Sequence, residues 1–93
     1  MINENSYFEG NVKSLGYSSS EGKSTVGVME EGEYEFGTGS PEKMTVIEGE
    51  LQVQLIGETT FNSYKSGIFF NVPGNSKFKV RSVGQTSYLC QFL

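Results

Sequence analysis

The sequence contains no histidine and no tryptophan, and it has one cysteine and two prolines in 93 residues. Without a histidine base, Cys90 is a weak nucleophile and reads as a small core residue. A single cysteine forms no internal disulfide, which points to a reducing compartment. No charged-then-apolar leader and no long apolar run occurs, so neither a signal peptide nor a membrane span is expected. Basic residues number 7 against 11 acidic, a net charge of −4. With no basic stripe, that balance argues against nucleic acid as a partner. These absences together predict a soluble cytoplasmic protein.

What is present suits short strands and turns: 12 glycines, 7 Phe and 5 Tyr. The hydrophobic share of 35% lies below the usual globular value. Apolar residues nevertheless alternate clearly, which predicts a thin β core and not disorder. Residues 1–93 form one expected domain, with Met1 to Ser6 frayed at its start. A chain this short buries only part of its surface and is often helped by a partner chain. Alternation predicts strands over Asn11 to Tyr17, Ser24 to Glu30 and Glu33 to Thr38. It predicts others over Met44 to Leu55, Thr59 to Tyr64, Ile68 to Val72, Lys77 to Ser82 and Thr86 to Phe92. Eight or nine strands at such short spacing, with no convincing helix, predict a sandwich or barrel.

Two stretches organise the rest. Pro41 to Gly49 runs as a strand into a turn at Glu48-Gly49-Glu50, and Leu51, Val53 and Leu55 alternate on the way back, which predicts a β-hairpin. Gly67 to Phe78 repeats the arrangement around Pro73-Gly74-Asn75-Ser76. Both stretches resemble the two motifs of the cupin superfamily. Glu42 and Gly49 have the spacing of the first motif, and Gly67 and Pro73 that of the second. The resemblance implies an all-β, single-domain, RmlC-like jelly-roll barrel. It also places the usual metal-binding histidines at Phe36, Thr38 and Phe78, so three of the four ligands of the usual metal cage are missing.

The resemblance extends along the chain. Tyr7-Phe8, Val12-Lys13-Ser14, Gly16-Tyr17-Ser18-Ser19, Ser24 to Met29, Glu31 to Tyr34, Pro41-Glu42, Met44 to Ile47, Phe70 to Gly74 and Thr86 to Cys90 resemble the small bacterial pyrimidine/purine nucleoside phosphorylases. That family implies a homodimeric cupin that cleaves several nucleosides with phosphate to a free base and a pentose 1-phosphate. One departure is Asn75, where the family is expected to carry histidine.

Phosphorolysis needs a seat for phosphate, acceptors for the ribose hydroxyls and a surface for the base. A metal is not intrinsically required, and Glu42 alone makes a poor transition-metal site, so no cofactor is expected and orthophosphate enters as cosubstrate. For phosphate, Lys13, Ser18, Ser19 and Lys23 cluster around one turn, and Arg81, the only arginine, offers a bidentate grip. The ordinary reading of Lys23 and Arg81 is solvated surface charge. For the base, Phe36 and Phe78 would turn a metal cage into a stacking slot that tolerates purines and pyrimidines alike. The bland reading is that both rings fill the core. Tyr34 and Tyr88 are expected at the same mouth, and Thr38 offers a hydroxyl. For the ribose, Glu42 accepts from neighbouring hydroxyls and favours positive charge developing on the sugar, the expected catalytic role. Two rival readings are a non-catalytic cupin that binds a small metabolite and a metal-dependent cupin enzyme, the second disfavoured by the missing histidines.

Overall fold

A computed structural model describes residues 1–93. It holds ten strands: β1 Asn3–Tyr7, β2 Val12–Ser19, β3 Gly22–Met29, β4 Gly32–Thr38, β5 Glu42–Glu48, β6 Glu50–Leu55, β7 Asn62–Lys65, β8 Phe69–Val72, β9 Ser76–Ser82 and β10 Thr86–Phe92. One 3-10 turn, Phe8–Gly10, joins β1 to β2. No helix is long and apolar enough to cross a membrane. A six-stranded sheet has the order β1-β2-β3-β10-β5-β8, and a four-stranded sheet the order β4-β9-β6-β7. All pairings are antiparallel.

Period-two alternation sets which face each strand buries. In β9, Phe78, Val80 and Ser82 point inward and Lys77, Lys79 and Arg81 outward. In β10, Thr86, Tyr88 and Cys90 are buried. Met44 and Val46 of β5 face the core from one sheet, and Leu51 and Val53 of β6 from the other. Thirteen buried side chains make one cluster between the sheets, with Phe36, Leu55 and Tyr64 packed against it. The result is a jelly roll of two facing sheets. The sheets form separate hydrogen-bonded ladders, so the expected barrel is an open jelly roll and not a closed wall.

Neither expected hairpin exists. At Gly49 the chain leaves the six-stranded sheet as β5 and enters the four-stranded sheet as β6. At Pro73 to Asn75 it makes the same crossing from β8 to β9. The reason is that β5 already pairs β10 and β8 on its two edges, while β6 pairs β9 and β7, so neither has a free edge for the other. Gly49 has φ +105°, and a Cβ there would stand 2.7 Å from the Thr86 hydroxyl, so this corner requires glycine. Thr86 clamps it, donating to the Glu50 carbonyl at 3.1 Å and accepting from the Glu50 amide at 3.3 Å.

The amino-terminal segment is also ordered. Asn3–Tyr7, expected to fray through Ser6, pairs with β2 from Asn3↔Gly16 to Tyr7↔Val12. Polar residues dominate β1, and no position in it is fully buried, so its sequence carries no hydrophobic signal for an edge strand.

Candidate active site

Titratable and aromatic side chains gather in a cleft of about 350 Å³ between the sheets. Glu42 opens β5 directly after Pro41, and its strand neighbours are Phe92 on β10 and Val72 on β8. Its carboxylate is part-buried, which pushes its pKa above the ordinary carboxylate range; a hydrogen bond from Cys90 offsets some of that rise. The Cys90 thiol donates to Glu42 Oε1 at 3.3 Å. Burial, and then the nearby Glu42 charge, push the thiol pKa far up, so Cys90 is a neutral donor and not a thiolate.

Tyr88 stands two residues along β10, with its phenol pushed up to about 12 chiefly by burial. Its hydroxyl occupies a notch that its cross-strand partner Gly27 leaves open on the neighbouring strand β3, where a Cβ would come within 2.5 Å of that oxygen. Glu42 is thus an acceptor beside a thiol and near a phenol that both keep their protons at neutral pH.

The aromatic side of the cleft comes from the four-stranded sheet. Phe36 and Phe78 are direct cross-strand partners. Their rings stack with centroids 5.7 Å apart and planes inclined by 30°. Phe78 is core, whereas Phe36 is only part-buried. Four residues singled out in the sequence, Glu42, Phe36, Phe78 and Tyr88, therefore line one cleft.

The others stand elsewhere. Tyr34 lies behind the cleft wall, its hydroxyl donating to the Glu30 carbonyl at 2.8 Å. Thr38 braces the β8–β9 corner, donating to the Pro73 carbonyl at 2.7 Å and accepting from the Ser76 amide at 3.0 Å. Asn75 sits in that corner with φ 49°, a left-handed conformation that asparagine tolerates. Ser18 and Lys23 line a second cleft of about 530 Å³, which shares Thr25 and Phe92 with the first. Ser19 belongs to the β2–β3 hairpin, where its hydroxyl accepts from the Glu21 amide. Lys13 is exposed on β2 between two buried neighbours, Val12 and Ser14. Arg81 lies on the outer face of the four-stranded sheet, bonded to Glu33 at 2.7 Å and stacked over Phe61 at 3.7 Å. No group of three or more metal-capable acidic, cysteine or histidine side chains converges.

Sequence reasoning did not anticipate Phe8, Ser14, Thr25 and Phe92 as cleft residues or the Cys90–Glu42 bond. The partners in that bond are 48 positions apart, and only strand pairing brings them together. For Phe92 a signal did exist: it alternates with Tyr88 and Cys90 on one face of β10.

A jelly roll of two antiparallel sheets of this size has the cupin-like fold. A solved RmlC-like cupin from Shewanella frigidimarina superposes with a TM-score of 0.77 at 16% identity, covering 99% of this chain and 83% of that one. The match in family is closer still. The model of the pyrimidine/purine nucleoside phosphorylase family matches residues 2–92, and the chain belongs to that family. It is 53% identical over 92 residues to a pyrimidine/purine nucleoside phosphorylase of Tolumonas auensis, covering 99% of each chain. A crystal structure of a Vibrio parahaemolyticus protein of unknown function is 49% identical with a TM-score of 0.97, covering 100% of this chain and 99% of that one.

Proposed function

We propose that the chain is a broad-specificity nucleoside phosphorylase, converting purine and pyrimidine nucleosides to free base and (deoxy)ribose 1-phosphate. The observation that carries this reading, beside the family, is Glu42 set against the stacked Phe36–Phe78 pair in one cleft. The rings take the base by stacking, which does not discriminate purine from pyrimidine. Glu42 accepts from the ribose hydroxyls and stabilises positive charge at the anomeric carbon as the transition state becomes oxocarbenium-like. A phosphate oxygen bonds to C1′ as the C1′–N bond breaks. The base leaves with the electron pair, and the proton that hydrogen phosphate brought ends on the base.

Phosphate enters from the adjoining cleft, held by Ser18 and Lys23. The shared Thr25–Phe92 wall supports this placement, whereas Arg81 already has a partner in Glu33. No metal or organic cofactor takes part, and orthophosphate is the cosubstrate.

The enzyme acts in the cytoplasm as a homodimer. Support for the dimer comes from the outer face of the six-stranded sheet. There Leu15, Val26, Leu89 and Phe69 fall in one cross-strand row through Thr45, and Leu15, Val26 and Phe69 are substantially exposed. A contiguous apolar row of this kind marks an interaction surface.

The deciding experiment is turnover of inosine and uridine by purified protein, with and without phosphate. Phosphate-dependent release of both bases with ribose 1-phosphate is the expected result. Release without phosphate would make the chain a hydrolase, and tight binding without release would make it a metabolite-binding cupin.

A further inference from the structure

The turn between β1 and β2 contains an aromatic ring that its backbone disfavours. Phe8 (φ 53°) and Glu9 (φ 59°) are both left-handed, ahead of Gly10 at φ 90°. Glycine, asparagine and aspartate adopt that conformation readily, but for a bulky side chain it is an outlier. Such outliers persist where something else holds them, and they cluster at binding sites. Phe8 as a whole residue is still 43% exposed, so burial alone does not account for it.

Its position suggests the purpose. The Phe8 ring lines the cleft with Glu42, Phe36 and Phe78. Its centroid lies 5.5 Å from that of Phe36 with the planes at 88°, and 5.0 Å from that of Tyr34. Phe36 in turn stacks on Phe78. The three rings form a graded series from the buried Phe78 through the part-buried Phe36 to the exposed Phe8.

We propose that Phe8 is a specificity-determining residue that contacts the nucleobase at the cleft mouth, and that it matters for purines far more than for pyrimidines. This deepens the nucleoside phosphorylase reading and rests on it. A pyrimidine seated deep on Phe36 and Phe78 ends short of the mouth. A purine carries a second fused ring, which extends along the series and meets Phe8. The strained turn holds the phenyl ring at the height where the extra ring arrives.

The test uses Phe8→Asn, which suits the left-handed backbone and removes the ring, and Phe8→Tyr, which keeps the ring. KM and kcat are measured for inosine and uridine at saturating phosphate, together with Tm. In Phe8→Asn the inosine KM rises about tenfold, the loss expected from one base–aromatic stack, while the uridine KM stays near wild type. In Phe8→Tyr both stay near wild type. Unchanged inosine KM in Phe8→Asn, or an equal rise for both nucleosides, overturns the proposal, because a ring that merely plugs the core end would affect both alike. If Phe8→Asn does not fold, Phe8→Leu decides by the same comparison, since it keeps apolar cover without a flat face. A wild-type protein that cleaves neither nucleoside refutes the phosphorylase reading itself, an outcome distinct from an active enzyme indifferent to Phe8.

Discussion

Replacing Glu42 by glutamine removes one charge and almost no volume, which makes it the sharpest probe of the cleft. The variant side chain still accepts a hydrogen bond from the Cys90 thiol, now 3.3 Å from Oε1, so the local geometry is kept. What is lost is the attraction between a carboxylate and positive charge developing at the sugar carbon. At a separation of about 5 Å and an effective dielectric of about 20, a full unit charge is stabilised by about 3 kcal/mol, and half a unit by about half that. In bulk water the same pair gives less than about 1 kcal/mol. The part-buried setting of Glu42 selects the first regime, so kcat falls by a factor between about ten and a few hundred. Steady-state phosphorolysis of uridine and inosine at saturating phosphate reads this directly. The pH profile supplies a second sign. Burial raises the Glu42 pKa, so wild-type activity falls on acidification at a pH above the ordinary carboxylate range, and the glutamine variant lacks that limb. Stability runs the other way. A raised folded-state pKa favours the folded protein at low pH, and this advantage is lost as pH rises through the folded value. At neutral pH Glu42→Gln is therefore at least as stable as wild type. A folded variant with wild-type kcat would remove Glu42 from the mechanism.

Gly27→Ala should destabilise the fold, because the new Cβ would lie 2.5 Å from the Tyr88 hydroxyl and 2.8 Å from the Lys13 carbonyl. Overpacking of this kind costs about 1–3 kcal/mol, a fall in Tm of several degrees that a thermal melt resolves; a wild-type Tm would mean Tyr88 swings aside freely. Lys23→Ala should raise the phosphate KM and leave the nucleoside KM alone, whereas Arg81→Ala should change neither. The Arg81–Glu33 pair is exposed on both sides, so its loss should leave stability nearly unchanged, and an Arg81→Ala enzyme with weakened phosphate saturation would reverse the assignment. Val26→Glu, placed in the apolar row of the outer sheet face, should convert a dimer to a monomer in light scattering; an unchanged mass would move the interface elsewhere.

Alternation was legible wherever a strand buries one face, as in β9, where three basic residues interleave with Phe78, Val80 and Ser82. Pairing was less so. Glu48-Gly49-Glu50 fits a hairpin turn as well as a corner between sheets, because a left-handed glycine serves either. Which one forms depends on strands far away in sequence that occupy the edges of β5 and β6. β1 carries no hydrophobic stripe, because an edge strand can be held by backbone pairing alone. In the cleft, residue types pointed to the aromatic wall and to Glu42, whose positions follow strand periodicity. The environment of Glu42 was hidden, since it depends on Cys90 and on a glycine notch for Tyr88, both brought in by register.

The three positions where the cupin resemblance places metal-binding histidines have taken three physical routes. Phe78 faces the core at 3% exposure, so it both supports the fold and floors the cleft. Truncating it to alanine would cost about 3–5 kcal/mol, most of the margin of a domain this small, and loss of activity there would say little about binding. Phe36 is its cross-strand partner but is only part-buried, so it can be shortened with less damage and is the better probe of stacking. Thr38 has left the cleft and clamps the β8–β9 corner through Pro73 and Ser76. A site built this way gives up the strong, directional bonds of a metal cage for broad apolar faces, which constrain the plane of a base and not its hydrogen-bonding edge. On the proposed reading, stacking on such faces tolerates purines and pyrimidines alike, and the role proposed for Phe8 adds discrimination by the length of the base.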